Sequence, residues 1–278
     1  MLKKIGSTIY AYPAPLRLGI FILGLICAWL PIALPLFLLI REDTNLRSIV
    51  TMVPLGLLFF IGLYTWGKIV YPTQNVWRLY GLGRPRQNGV LLLKGLAWGL
   101  LFTFSLFIIE SLLGWVEIDA SGVNLGRIIL EGSLTGLGVA FAEECFFRGW
   151  LLTELERDYT LSTALWTNSI LFATLHFLKP LPEIIRTFPQ FPALILLGIL
   201  LVIAKRSYGQ LLGICIGLHG GLVWGYYILN VGQLLHYTNR VPDWVTGIDQ
   251  NPLAGILGII FLGLLMGLIR VFAPQKPR

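Results

Sequence analysis

Apolar residues come in long, nearly unbroken runs along this chain, and polar residues are confined to the short stretches between them. The runs lie at about 18–40, 48–70, 89–113, 126–153, 160–178, 192–204, 210–230 and 252–270. A helix needs about 20 apolar residues to cross a bilayer, because it rises only 1.5 Å per residue. The pattern therefore predicts an all-α fold, a polytopic transmembrane helical bundle of about eight spans. The sixth run is short for a span, with Pro192 placed in its first turn. Pro31 and Pro35 predict kinks in the first.

Composition says which solvent these runs face. Of 278 residues, 56% are hydrophobic and 13% charged, where a soluble domain carries about 25% charged residues. The mean hydropathy is +0.76. No core of a chain this size hides so much apolar surface, so the surroundings must be a lipid bilayer. The net charge of +7 sits in short clusters between the runs, with no basic face interleaved with aromatics, which excludes a nucleic-acid partner. With the N-terminus inside, thirteen of the 21 lysines and arginines fall on inner segments, Lys276 and Arg278 among them, and six on outer ones. Lys94 and Arg148 lie within helices. This bias predicts that both termini are cytoplasmic. Pro13, Pro15 and Arg17 separate Lys3 and Lys4 from the first apolar run, which reads as an uncleaved first helix rather than a signal peptide. Cys27, Cys145 and Cys215 lie in apolar runs without a CxxC spacing and read as small buried residues. The polar stretch at about 71–88 suggests a two-helix region over 1–79 and a six-helix region over 80–278.

Charge inside a membrane is costly and points to chemistry. Its densest cluster is Glu143-Glu144-Cys145-Phe146-Phe147-Arg148. Glu144 and Arg148 are four apart on one helix face and can pair. Glu144 also continues the small-residue row Gly132, Gly136 and Ala140. Glu143 lies about 100° round the helix, free to act as a general base. Gly213, Gly217, Gly221 and Gly225 form a second row on the seventh run, of the kind that lets helix backbones approach closely. Of three histidines, His176 and His219 fall within apolar runs, while His236 falls in an outer loop and takes no role. Rise per residue places Glu143, His176 and His219 at roughly 15–24 Å from the inner loops, in one layer. The expected arrangement has Glu143 facing both histidines, activating water while a histidine stabilises the oxyanion. The same three residues are the ligand set if zinc is bound. HExxH, GxSxG and Gly-x-Gly-Asp are all absent, which argues against the common zinc, serine and aspartyl proteases.

These residues resemble the motifs of the CPBP family, the CAAX proteases and bacteriocin-processing (Abi) enzymes. Its EExxxR is matched by Glu143, Glu144 and Arg148, its FxxxH by Phe172 and His176, and the histidine of its HxxxN by His219. Val223 stands where the family has asparagine. The resemblance covers about 80–272. It implies a membrane-embedded endopeptidase, often labelled a metalloprotease, that acts on a peptide or membrane-protein substrate, with Glu143 as the base, His176 and His219 assisting, and Glu144 and Arg148 in support. An integral protein of a bacterial cytoplasmic membrane is the expected setting. Without the motif asparagine the oxyanion needs another donor, for which Asn168 and Asn230 are candidates. Two other readings stand beside the enzyme: a non-catalytic membrane scaffold or partner-binding homologue, which the Val223 departure favours, and a small-molecule transporter, which the lack of repeat symmetry disfavours.

Overall fold

The computed structural model describes residues 2–274, so Lys276 and Arg278 of the inner basic set lie outside the described residues. In chain order the helices are α1 (Leu2–Ala11), α2 (Ala14–Leu39), α3 (Thr44–Val70), α4 (Val76–Leu79), α5 (Pro85–Leu112) and α6 (Leu125–Glu144). A π-helical segment, Cys145–Leu151, joins α6 to α7 (Leu152–Asp158). There follow α8 (Leu161–Leu175), α9 (Leu181–Thr187), α10 (Phe191–Ser207), α11 (Gly213–Tyr226), α12 (Asp243–Thr246) and α13 (Ile256–Val271). Among the described residues, six helical runs are long and apolar enough to cross a membrane: Ala14–Leu39, Thr44–Val70, Pro85–Leu112, Leu125–Asp158, Leu181–Ser207 and Gly213–Val231. Leu161–Leu175 and Ile256–Val271 are apolar but shorter. The protein is an all-α integral membrane bundle.

Local chemistry sets the helix starts. Asp43, Asn75, Asn124 and Thr160 each accept a backbone N–H from the first turn they precede. Proline opens α2, α5, α9 and α10, where its missing N–H costs nothing. Three details of secondary structure depart from what the sequence predicts, and so does the exposure of Cys27. The sixth run is not short, because α9 and a 3₁₀ turn at Phe188–Gln190 extend α10 backwards into one 27-residue helical run. The chain opens with a helix, α1. A small antiparallel ribbon also forms, β1 (Val116–Ile118) on β2 (Leu235–Tyr237), pairing Glu117 with His236. Cys27 is exposed, whereas Cys145 and Cys215 are buried.

The chain divides into two compact units, the first running to Gly83 and including Thr153–Tyr159, the second taking Arg84–Leu152 and the described chain from Thr160 on. The first unit is organised around Arg17. Its Nε donates to Glu154 Oε2 at 2.7 Å and its Nη1 to Asp158 Oδ2 at 2.9 Å. Trp66 Nε1 donates to the other Glu154 oxygen at 2.8 Å. Arg17, read from sequence as an inner-loop charge, is thus wholly buried with Glu154. The Arg157 guanidinium lies 3.6 Å from the Tyr10 ring centroid. Burial, with the Glu154 carboxylate nearby, raises the Tyr71 and Tyr80 phenols and keeps them neutral.

In the second unit α11 lies between α5 and α6. A methyl group at Gly217 would fall 2.0 Å from the Leu92 carbonyl oxygen, and one at Gly221 2.6 Å from that of Leu96. Gly213 meets the Asn88 backbone in the same way, while Gly225 faces the Thr103 side chain, so three glycines of the row ride on the α5 backbone. On the other flank, Gly136 of α6 would place a methyl 2.9 Å from the Gly220 carbonyl. Helices in lipid gain little from hydrophobic exclusion and associate by such close packing.

Two outcomes follow for stability. Gly217→Leu forces a side chain into the α5 backbone and is expected to cost about 1–3 kcal/mol or more, read as a lower Tm of the detergent-solubilised protein. Arg17→Met strands a buried carboxylate at a cost of about 3–5 kcal/mol. Adding Glu154→Gln to Arg17→Met should restore part of the lost Tm.

Candidate active site

Glu144 faces inward because it falls on the buried row of α6 with Gly132, Gly136 and Ala140. Its Oε1 accepts from Arg148 Nη1 and from His219 Nδ1, both at 2.9 Å. Glu144 and Arg148 are completely buried, and His219 nearly so. The second Arg148 Nη donates to the Gly198 carbonyl of α10 at 3.3 Å. The charge pair therefore does two jobs: it neutralises itself and it orients a histidine.

Glu143 points elsewhere. Its Oε2 lies 3.8 Å from His176 Nε2, and both side chains are about one-third exposed. That Glu143 oxygen has no hydrogen-bond partner among the described residues. The sequence reading had Glu143 facing both histidines. The structure divides them, Glu143 with His176 and Glu144 with His219, because consecutive residues on a helix project about 100° apart.

His176 sits at the C-terminal end of α8, and its Nδ1 meets the Phe172 carbonyl at 2.7 Å. A carbonyl only accepts, so Nδ1 carries the proton and Nε2 is the nitrogen turned to Glu143. An ionised Glu144 imposes the same tautomer on His219. Phe172 also supplies the wall common to the whole group. Its fully buried ring lies 4.6 Å from the His176 ring, 6.1 Å from the His219 ring and 4.3 Å from the Arg148 guanidinium. This explains why a phenylalanine stands four residues before the histidine: one residue provides both the carbonyl and the ring.

The π-helical segment was not visible in the sequence. Such a turn carries an extra residue and strands a carbonyl. Side chains from other helices answer it: Asn168 Nδ2 donates to the Phe147 carbonyl at 2.8 Å, and Lys205 Nζ to that of Arg148. Asn168 is thereby fixed, fully buried, on the π-helical turn, and it is not a spare donor for an oxyanion. Asn230 is turned to Gln250, 3.5 Å from its carbonyl. A cavity of about 280 Å³ opens beside the histidines. His176, His219 and Val223 line it, with Phe102, Leu106, Leu194 and Leu262 among its apolar walls. Glu143 is not among its lining residues, and its carboxylate lies beside His176, which is.

The donors do not suit zinc. Among the described residues, no three of histidine, cysteine, aspartate and glutamate are grouped to hold a metal ion. The zinc set of Glu143, His176 and His219 is not assembled.

Residues 125–225 match a family model described as type II CAAX prenyl endopeptidase Rce1-like. No curated protein and no solved structure matches the chain. The matched segment runs from the first residue of α6 to the end of the glycine row on α11, and so contains Glu143, Glu144, Arg148, His176 and His219. Motifs and match agree: this segment, 101 of the chain's 278 residues, is similar to the CAAX protease family.

Proposed function

We propose that the protein is an endopeptidase working inside the membrane, with Glu143 as the base that activates water. The observation that carries this reading is the division of the paired carboxylates. Glu144 is occupied by Arg148 and His219, whereas among the described residues Glu143 meets no arginine or lysine and faces only the His176 ring. Glu143 Oε2 and His176 Nε2 are both acceptors at 3.8 Å, a separation that one water spans by donating a hydrogen to each. The water's lone pair is then turned outward. It adds to the peptide carbonyl carbon as Glu143 takes one proton. That proton passes to the leaving nitrogen, and the C–N bond breaks. His219, its Nδ1–H held by Glu144, presents Nε2 to the cavity as an acceptor, so the developing charge needs a donor from elsewhere. No step in this scheme passes through a metal.

The substrate is a peptide or membrane protein, and the apolar cavity beside the histidines accommodates a hydrocarbon group. The test is cleavage of a quenched fluorescent peptide ending in a CAAX sequence, with and without a farnesyl group, by the full chain in proteoliposomes. Glu143→Ala is expected to lower kcat by at least about 100-fold while membrane insertion and Tm hold. Activity should survive exhaustive chelation. Full activity of Glu143→Ala would remove the mechanism. Failure of the wild type to cleave either peptide would favour the non-catalytic, partner-binding reading.

A further inference from the structure

The two histidines leave the site with a deficit. Each carries its ring proton on Nδ1, facing an acceptor away from the reacting centre, so the Nε2 atom that meets substrate is a lone pair until it gains a proton. An oxyanion needs a donor that is protonated from the start. Val223 lines the cavity where the family motif has an asparagine, and it donates nothing. The other polar groups around the cavity are few. The Thr103 hydroxyl is given to the Gly99 carbonyl at 3.0 Å and that of Tyr226 to the Gln250 carbonyl at 3.3 Å. Gln190 and Asn251 remain.

Asn251 is the one that is held. Its Oδ1 accepts the Leu253 N–H at 3.0 Å, which sets the amide plane and leaves Nδ2 without a partner among the described residues. The backbone that delivers it is strained. Asp249 and Gln250, the two residues before it, take left-handed φ values of 56° and 60°, a conformation that costs non-glycine residues about 1–3 kcal/mol each. Gly247, at φ 131°, allows the loop to close on itself, since a methyl there would lie 2.0 Å from the Asn251 carbonyl oxygen. Three residues from outside the loop tether the strained pair: Arg186 of α9 pairs with Asp249, and Tyr226 and Asn230 donate to Gln250. Strain maintained by tethers from outside the loop is expected where a side chain must be presented at a set point.

We infer that Asn251 is a catalytic residue of this site, its Nδ2 donating to the oxyanion in place of the asparagine that Val223 replaces. This deepens the endopeptidase reading and rests on it. As the peptide carbonyl is attacked, its π electrons move onto oxygen, and Asn251 Nδ2–H hydrogen-bonds that oxygen without giving up its proton. The amide returns unchanged when the carbonyl re-forms and the amine leaves.

The experiment uses the full chain in proteoliposomes and whichever CAAX reporter peptide the wild type cleaves. Asn251→Ala should lower kcat by about 100–1000-fold with KM little changed. Val223→Asn placed in the Asn251→Ala background should recover activity to within about tenfold of wild type, because it returns a donor to the lining of the same cavity. Circular dichroism and Tm establish that each variant is folded. Wild-type kcat in Asn251→Ala, loss without rescue in the folded double variant, or loss confined to Gln190→Ala would each overturn the assignment while Glu143→Ala still reports on the protease reading. If the wild type cleaves nothing, the endopeptidase reading fails and this assignment with it.

Discussion

The second unit depends on one close approach: α11 laid backbone to backbone against α5 along Gly213, Gly217 and Gly221. Gly213, Gly217, Gly221 and Gly225 remove every Cβ from that flank, and Gly136 of α6 meets Gly220 on the other. A helix gripped in this way has little freedom to slide or rotate, because a shift of about 1 Å drives backbone into backbone. His219 occurs in the middle of that helix, two residues after Gly217. Its reach to Glu144 is therefore set by glycine packing before any polar interaction forms. In a lipid environment this order matters, since polar groups bond to whatever is near and do not by themselves choose a register.

Buried charge is then arranged on the rigid frame. Glu144 and Arg148 are fully shielded and share the His219 ring. The π-helical turn through Arg148 opens carbonyls that Asn168 and Lys205 answer from α8 and α10. The first unit repeats the logic with different residues: Arg17 holds Glu154 and Asp158, and Trp66 closes the remaining oxygen. The match is fuller in the first unit: among the described residues Arg148 Nε and the second Glu144 oxygen have no hydrogen-bond partner, a cost that the Glu144–Arg148 attraction must offset.

Much of this was legible in the sequence. The long apolar runs marked the helices, and a four-residue spacing put Glu144 on the row of Gly132, Gly136 and Ala140, where the structure has it. The Glu144–Arg148 pair followed from the same period. Contacts between helices were not legible. Depth along a helix brought Glu143, His176 and His219 into one layer, but depth carries no azimuth, so His219 was given to Glu143 when it belongs to Glu144. The π-helical turn leaves no periodic trace over seven residues. The α9 extension was hidden by three prolines and two charged residues between Lys179 and Phe191 that read as a loop. Asn251 lies in a segment with no motif, and only its place beside the cavity singles it out.

The two Nδ1 bonds have a further consequence. A histidine can carry a proton from one side of a site to the other by turning its ring over, loading at one edge and unloading at the opposite one. Here rotation would break the bond to the Phe172 carbonyl at one ring and to the Glu144 carboxylate at the other. His176 and His219 are pinned as fixed posts. At His176, whose Nδ1 faces a carbonyl that cannot take a proton, a travelling proton must enter and leave by the Nε2 edge, whereas His219 can pass one through its ring only to Glu144.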